Sequence, residues 1–258
     1  MVMRKHWALT GIIVGLLLPL TAQALEAKAT LDWSRRVELS LPVSGTVTQV
    51  LVEAGDRVSK GQVLLRLDPR GFKATVAERK AQLQSMREAR KEAKRELDRS
   101  HELYNRTVLS DHQLTLAKID YAKADASYRQ AQAALTQAEL DLEYSAVRAP
   151  FDGIVLSRRV DVGQAVVSQI QSQPLVVVAE AGRMLARARV PQAELGTLSV
   201  GQGVTVRLGD RTYQGTVRHI GLEPVSGPKQ GLYYPVDVEF ATGTKTLRAG
   251  LPATVSVP

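Results

Sequence analysis

The side chains best suited to chemistry are few and scattered. The chain has four histidines, His6, His101, His112 and His219, and no cysteine at all. A zinc or copper centre needs three or four donors held together, and none of these histidines stands at ligand spacing from a second donor. Without cysteine there can be no disulfide, no thiol nucleophile and no thiolate-ligated metal. Beyond the N-terminal segment only Met86 and Met184 offer thioether sulfur, which does not make a soft-metal site. No nucleophile-elbow, Walker A or dinucleotide-binding pattern occurs. Asp68, Asp152 and Asp161 fall among glycines and prolines, where aspartate turns the chain. No catalytic residue, metal ligand or cofactor is therefore expected, and the chain does not read as an enzyme.

The N-terminus carries an address instead. Arg4, Lys5 and His6 precede an apolar run from Trp7 to Leu20, and Ala22-Gln23-Ala24 follows. This is the pattern of a secretory signal peptide over residues 1–24, cleaved after Ala24, with an uncleaved anchor as the alternative. The run is short for a span of ~20 apolar residues. Losing Arg4 and Lys5 lowers the formal net charge from +8 to +6. A basic balance can signal nucleic acid, but an exported protein does not meet it, so no nucleic-acid partner is expected.

The chain resembles itself at an offset of 108 residues: Pro42, Gly45, Val47, Val52, Gly55 and Val58 return as Pro150, Gly153, Val155, Val160, Gly163 and Val166. Around them apolar and polar residues alternate as in half-buried strands, for example Val37, Leu39 and Leu41 against Glu38 and Ser40. Two copies of one short β-pattern predict two halves of one small sandwich, over 25–69 and 144–180.

The stretch between the copies, residues 70–143, has no proline and only Gly71 for glycine, and is rich in Ala, Glu, Gln, Lys and Arg. In its second half Leu114, Ala117, Tyr121, Ala124, Tyr128, Ala131, Leu135, Ala138 and Leu142 alternate at three and four residues, a heptad seam. Phe72, Val76, Leu83, Met86, Ala93, Leu97 and Tyr104 continue that frame in the first half. The break falls near Asn105–Leu109, and Ser110 with Gln113 forms a capping box for the second helix. The expectation is a coiled-coil hairpin on the order of 50 Å long, tilting about Asp68-Pro69 and Tyr144-Ser145. Eleven basic and six acidic residues on the first arm, against three and six on the second, favour pairing of the arms.

From 181 to 258 alternation resumes at Met184–Val190, Val204–Leu208, Val236–Phe240 and Ala253–Val257, with a short helix from Pro191 to Leu198 and a mobile loop from Gly221 to Gly231. This predicts a small β-barrel. The fold class is mainly β with a long α-helical coiled-coil hairpin: a barrel-sandwich hybrid split by the hairpin, then a barrel.

This order of parts resembles the periplasmic adaptor (membrane fusion protein, HlyD-like) family of tripartite efflux pumps, and among them the resistance-nodulation-division type. The resemblance is carried by Leu41–Val47, Gly55–Leu64 and Arg148–Val155, which look like the family's lipoyl-like domain. It implies a periplasmic protein that links an inner-membrane transporter, of the resistance-nodulation-division or ABC type, to a TolC-type outer-membrane channel, and that forms a homo-oligomer, a hexamer. Adaptors that dock such channels carry Arg, Leu and Ser at the hairpin tip, and Arg99, Leu103 and Ser110 stand at that spacing. They are the expected docking residues; the alternative is a solvated charge, a seam residue and a helix cap. Resistance-type adaptors usually carry a further membrane-proximal domain after the barrel, where this sequence stops. Two other readings compete. A lipoyl or biotin carrier would need a lysine at the turn between the halves, where Leu67-Asp68-Pro69-Arg70 stands instead and Lys60 lies one turn earlier. A self-assembling coiled-coil scaffold without a transport role would leave the tip residues unexplained.

Overall fold

The computed structural model describes residues 26–168, 174–227 and 231–257. The expected signal peptide, its cleavage point and residues 228–230 of the loop after Gly221 lie outside them. Among the described residues no helix is long and apolar enough to cross a membrane. Two compact units are present, one centred on the barrel and one holding the sandwich with its hairpin.

The sandwich is made by exchange. Its first half supplies strands β2 (Arg36–Leu39), β3 (Gly45–Val50), β4 (Arg57–Val58) and β5 (Val63–Leu67); its second supplies β6 (Ala146–Arg148), β7 (Gly153–Arg158), β8 (Ala165–Val166) and β9 (Val176–Glu180). One sheet runs β2-β9-β7-β4 and the other β6-β5-β3-β8, so each contains strands of both halves. The repeat is obeyed pair by pair: Val58 faces Gly153 and Val166 faces Gly45, while Arg57 faces Ile154 and Ala165 faces Thr46. Alternate side chains of both sheets meet in a core of Val47, Leu64, Leu65, Leu67, Val155, Val160, Val176 and Val178, all nearly inaccessible to water.

One turn recurs around this core. Glu53–Asp56, Ser59–Gln62 and Asp161–Gln164 each place glycine third, at φ of 101° (Gly55), 82° (Gly61) and 88° (Gly163), a conformation that glycine adopts without penalty. In each, the fourth residue's side chain accepts the first residue's N–H, at 2.8, 2.9 and 3.1 Å. The turns also stitch the halves together. Gly55 N–H donates to Val155 C=O and Val155 N–H to Asp56 C=O; at the repeat offset, Gly163 donates to Val47 and Val47 to Gln164. Arg158 breaks the symmetry, pairing with both Glu53 and Asp161 and so joining two of the turns.

The barrel closes in the order β1-β10-β13-β12-β11-β14. Its strands are β1 (Glu26–Trp33), β10 (Arg183–Pro191), β11 (Gly203–Leu208), β12 (Arg211–Ile220), β13 (Tyr233–Ala241) and β14 (Pro252–Ser256), with a 3-10 turn at Gln192–Thr197. Ala27, Ala29, Leu31, Ala186, Ala188 and Val190 point inward with Val206, Val238 and Val255, small side chains that suit a narrow barrel. The sandwich turn appears again at Ser199–Gln202, stitched to Val217. Two strands differ from expectation. Residues 26–33, placed in the sandwich from sequence, form β1 and pair with β14 through Glu26–Ser256 to Thr30–Pro252; closure removes an edge that β14 would otherwise expose. Strand β12 was hidden because its inward positions include Gly215, where a Cβ would lie 2.7 Å from Val238 Cγ1.

The repeat makes a matched test. A Cβ at Gly153 would lie 2.4 Å from the Ala179 carbonyl oxygen, a backbone wall, whereas at Gly45 it would meet the movable Leu67 Cδ1 at 3.1 Å. Gly153→Ala is expected to cost about 3 kcal/mol or more and Gly45→Ala about 1 kcal/mol. Urea unfolding of the two variants checks this, and equal losses would contradict it.

Candidate functional site

The helical hairpin consists of α1 (Arg70–Asn105) and α2 (Asp111–Tyr144), 36 and 34 residues long. At ~1.5 Å per residue each arm extends about 50 Å. Its base is set by two short joints. Leu67 ends β5 and Arg70 begins α1; Tyr144 ends α2 and Ala146 begins β6. The joints are pinned to each other and to the sandwich: Leu67 N–H donates to Ser145 C=O and Asp68 N–H to Thr46 C=O, both at 2.8 Å. The Asp68 carboxylate accepts from the Arg70 backbone N–H at 3.0 Å and from its guanidinium at 2.6 Å. The hydrogen bond from the Arg70 side chain, then that from its backbone, holds the Asp68 pKa down to about 2.

Along the rod the α2 seam falls where the heptads put it: Leu114, Ala131 and Ala138 are buried and the intervening seam positions half-buried. On α1 the half-buried line includes Arg79 and Arg90 among its apolar members. Arg90 Nε lies 2.6 Å from Asp125 Oδ1, a charge contact whose angle is not that of a hydrogen bond, and its guanidinium stands 5.0 Å from the Tyr128 ring centre. Hydrogen bonding to Tyr121, ahead of the Asp125 charge, raises the Arg90 pKa. Asp125 also pairs with Arg129 at 2.8 Å. The charge bias of the arms is thus scarcely used between them: among the described residues Arg90–Asp125 is the one ion pair that crosses the seam.

At the tip the register changes. Leu97 and Ser100 are buried and Leu103 is half-buried, whereas Tyr104, expected in the seam, is 40% exposed. The final turn of α1 steps by three residues rather than four, which carries Leu103 over the seam and swings Tyr104 outward. The chain then leaves by a Schellman turn: Val108 N–H donates to Leu103 C=O at 3.0 Å and Thr107 N–H to Tyr104 C=O at 2.9 Å. The left-handed position of this motif, normally glycine, is Thr107 at φ 58°, the one non-glycine residue with positive φ among the described residues. Val108, which would normally fold back on the helix, is 70% exposed.

The three sequence-derived residues share this end of the rod in different states. Arg99 is exposed, Leu103 half-buried and Ser110 exposed. The Ser110 hydroxyl accepts Gln113 N–H at 3.3 Å while Gln113 Oε1 accepts Ser110 N–H at 3.1 Å, so the expected capping box is formed. The most exposed apolar side chain of the tip, Val108, went unread because a lone valine in a loop carries no pattern. His101 and His112 are both exposed, and no group of three or more metal-binding side chains occurs among the described residues. The tip thus offers exposed apolar and cationic side chains at the end of a rod that is hydrogen-bonded to the sandwich at its base.

The family model described as "RND MFP, barrel-sandwich hybrid domain" matches residues 35–179. The chain is 29% identical over 252 residues to the macrolide export protein MacA of Yersinia pestis, an alignment that covers 91% of this chain and 68% of that one. It is 30% identical over 189 residues to the nodulation protein NolF of Rhizobium meliloti, covering 72% and 51%. Among solved structures, a MacA–MexA chimeric protein containing the Pseudomonas aeruginosa MexA α-hairpin is similar with a TM-score of 0.69 at 25% identity, over 90% of this chain and 80% of that one. The membrane fusion protein Spr0693 of Streptococcus pneumoniae shares the fold, with a TM-score of 0.70 at 18% identity over 91% and 98%.

Two outcomes follow from this geometry. Thr107→Gly is expected to stabilise the hairpin by about 1 kcal/mol, because a β-branched residue in the left-handed region costs about that much. Thermal melts followed by helical circular dichroism check it, and a lower midpoint would show that Thr107 makes a compensating contact. Asp68, with its folded pKa below the unfolded value, contributes stability above about pH 4 that is lost as the pH falls towards 2. Asp68→Asn should therefore lower the melting midpoint at pH 6 and lower it much less at pH 2, where the carboxyl is largely on its way to protonation; a difference at pH 2 as large as that at pH 6 would contradict the ion-pair account.

Proposed function

The chain belongs to the membrane fusion proteins of the resistance-nodulation-division type, and on that premise we propose that it is the periplasmic adaptor of a tripartite efflux pump. It engages an inner-membrane transporter, of the resistance-nodulation-division or ABC type, and meets a TolC-type outer-membrane channel with its hairpin tip. Six copies form and seal the conduit between them. Its leader directs it to the periplasm, and it carries out no catalytic step.

The observation that carries this reading is the tip itself: Val108, Tyr104 and Arg99 are exposed at one end of the rod, with Leu103 half-buried and Ser110 capping α2. Apolar side chains offered to water at the end of a rod lose free energy unless a partner covers them, at ~25 cal/mol for each Å². Arg99 adds a planar donor for the carbonyls or carboxylates of helix ends in such a partner. The pinned base supports the mechanical part of the role. With Leu67 and Ser145 bonded to each other, a displacement of the sandwich is passed to the hairpin with little slack. The relative named as a macrolide export protein supports export as the setting, and the transported compound is left to the partner transporter.

A photo-crosslinking side chain at position 108, used in cells at normal expression, tests the reading, with position 103 in parallel. The expected result is capture of an outer-membrane channel protein, stronger from the exposed position 108 than from 103. Capture of other copies of this chain and nothing else would overturn the adaptor role and favour a self-assembling scaffold. Val108→Asp, which leaves every helix contact in place, should reduce channel capture from position 103 at least tenfold without loss of helicity.

A further inference from the structure

One flank of the α1 seam is cationic from root to tip. Lys73, Lys80, Arg87, Lys94 and His101 recur every seven residues and form one line beside the seam. At ~1.5 Å per residue they stand about 10 Å apart and follow about 40 Å of the rod. All five are exposed. The opposite flank of the same seam reads Thr75, Gln82, Ala89, Glu96 and Leu103, with no cation. A face charged for solubility alone intersperses the two signs, whereas this helix separates them. Among the described residues Lys73, Lys80 and Arg87 make no ion pair, and Lys94 pairs with Asp98 of its own helix. Like charges also crowd: Arg87, Arg90, Lys91 and Lys94 lie three and four residues from one another, which weakens a helix left to itself. The line borders two hollows with partly aromatic walls. Leu83, Tyr128 and Leu135 line the one at Lys80 and Arg87, and Tyr121 lines the next, where Lys94 Nζ stands 5.8 Å from its ring centre. The two tyrosines are themselves seven residues apart, so rings and cations keep step along the rod.

We propose that this flank is a docking groove for peptidoglycan; the proposal rests on the adaptor reading above. A rod that reaches from an inner-membrane transporter to an outer-membrane channel meets the membranes at its ends, and its side faces the wall between them. That wall offers what the groove matches: carboxylates on its peptide stems for the lysines and arginine, and sugar rings whose apolar faces lie flat on tyrosine. A phospholipid surface offers anions without sugar rings, and it would not meet cations strung along the length of the rod. Each exposed charge contact is weak and screened by salt, so affinity comes from several made at once. Because the cations repeat with height, the wall is held at whichever level of the rod it crosses.

Sedimentation of the full chain with purified peptidoglycan sacculi tests this. The chain is expected to pellet with sacculi at low salt and to be released at ~1 M salt, where the Debye length is about 3 Å. Lys80→Gln, Arg87→Gln and Lys94→Gln together should lower the bound fraction about tenfold at unchanged helicity. Lys118→Gln, Lys123→Gln and Arg129→Gln, which remove the same charge from α2, should leave it within about twofold of the parent chain. Equal loss from the two triple variants would overturn the proposal in favour of attraction by net charge alone. Binding to phosphatidylglycerol vesicles without binding to sacculi would overturn it in favour of a membrane surface. No sedimentation of a chain whose position 108 captures a channel protein would overturn it and leave the adaptor role standing, because that capture, and not sedimentation, decides the adaptor role.

Discussion

Everything else in the sandwich unit depends on one reciprocal exchange of hydrogen bonds. The turn of each half closes on a strand of the other, Gly55 and Asp56 on Val155, Gly163 and Gln164 on Val47. Neither half can form its sheets alone, because each sheet needs strands from both. A chain that folds this way must bring residues 45–58 and 153–166 together across the whole hairpin. Loop-closure entropy for so long an insertion grows only logarithmically. A pre-formed helical hairpin lowers the cost further, since its two ends emerge side by side. The antiparallel coiled coil is in this sense the staple of the sandwich, and the pairing of β5 with β6 at its base is the consequence.

The same arrangement explains why the rod has so little freedom at its root. Strands β5 and β6 are hydrogen-bonded neighbours, and the helices leave them after joints of two residues and one residue. Bond geometry then leaves few ways to orient the hairpin. The Asp68 carboxylate narrows them by taking the backbone and side chain of Arg70 at once. Tilting the rod must strain either this clamp or the Leu67–Ser145 bond, so motion of the sandwich and motion of the tip are coupled by construction.

Much of this architecture was legible in the sequence where the signal is local or periodic. The α2 seam and the Ser110–Gln113 capping box needed only spacing, and the repeat needed only comparison of the chain with itself. What the sequence could not convey was partnership. The offset of 108 residues announces two equivalent halves, but whether Val58 pairs within its own half or with Gly153 is a non-local matter. Strand β1 escaped for a related reason: Ala27 and Ala29 are weakly apolar, and only barrel closure makes burying them worthwhile. At the candidate site, Arg99 and Ser110 lie at the end of the rod as the spacing implied. The exchange of Leu103 and Tyr104 between seam and surface depended on how the last turn of α1 winds, which no heptad count resolves.

Local consistency fails in one place, and that place is the tip. Nine of the glycines hold positive φ, and everywhere else among the described residues the chain reserves that conformation for glycine. Thr107 alone does without it, next to Val108, which stays in water where the motif would ordinarily bury it. Either feature in isolation would pass as tolerance. Together they mean that the tip gives up helix-end stability to hold an apolar side chain outward. The rest of the rod shows the opposite economy, with alanines closing the seam and a complete cap on α2. Sequences that specify their fold well tend to break local rules where another requirement intervenes. Here the departure falls at the hairpin's end, where glycine at position 107 would adopt the same left-handed backbone without the strain that threonine retains.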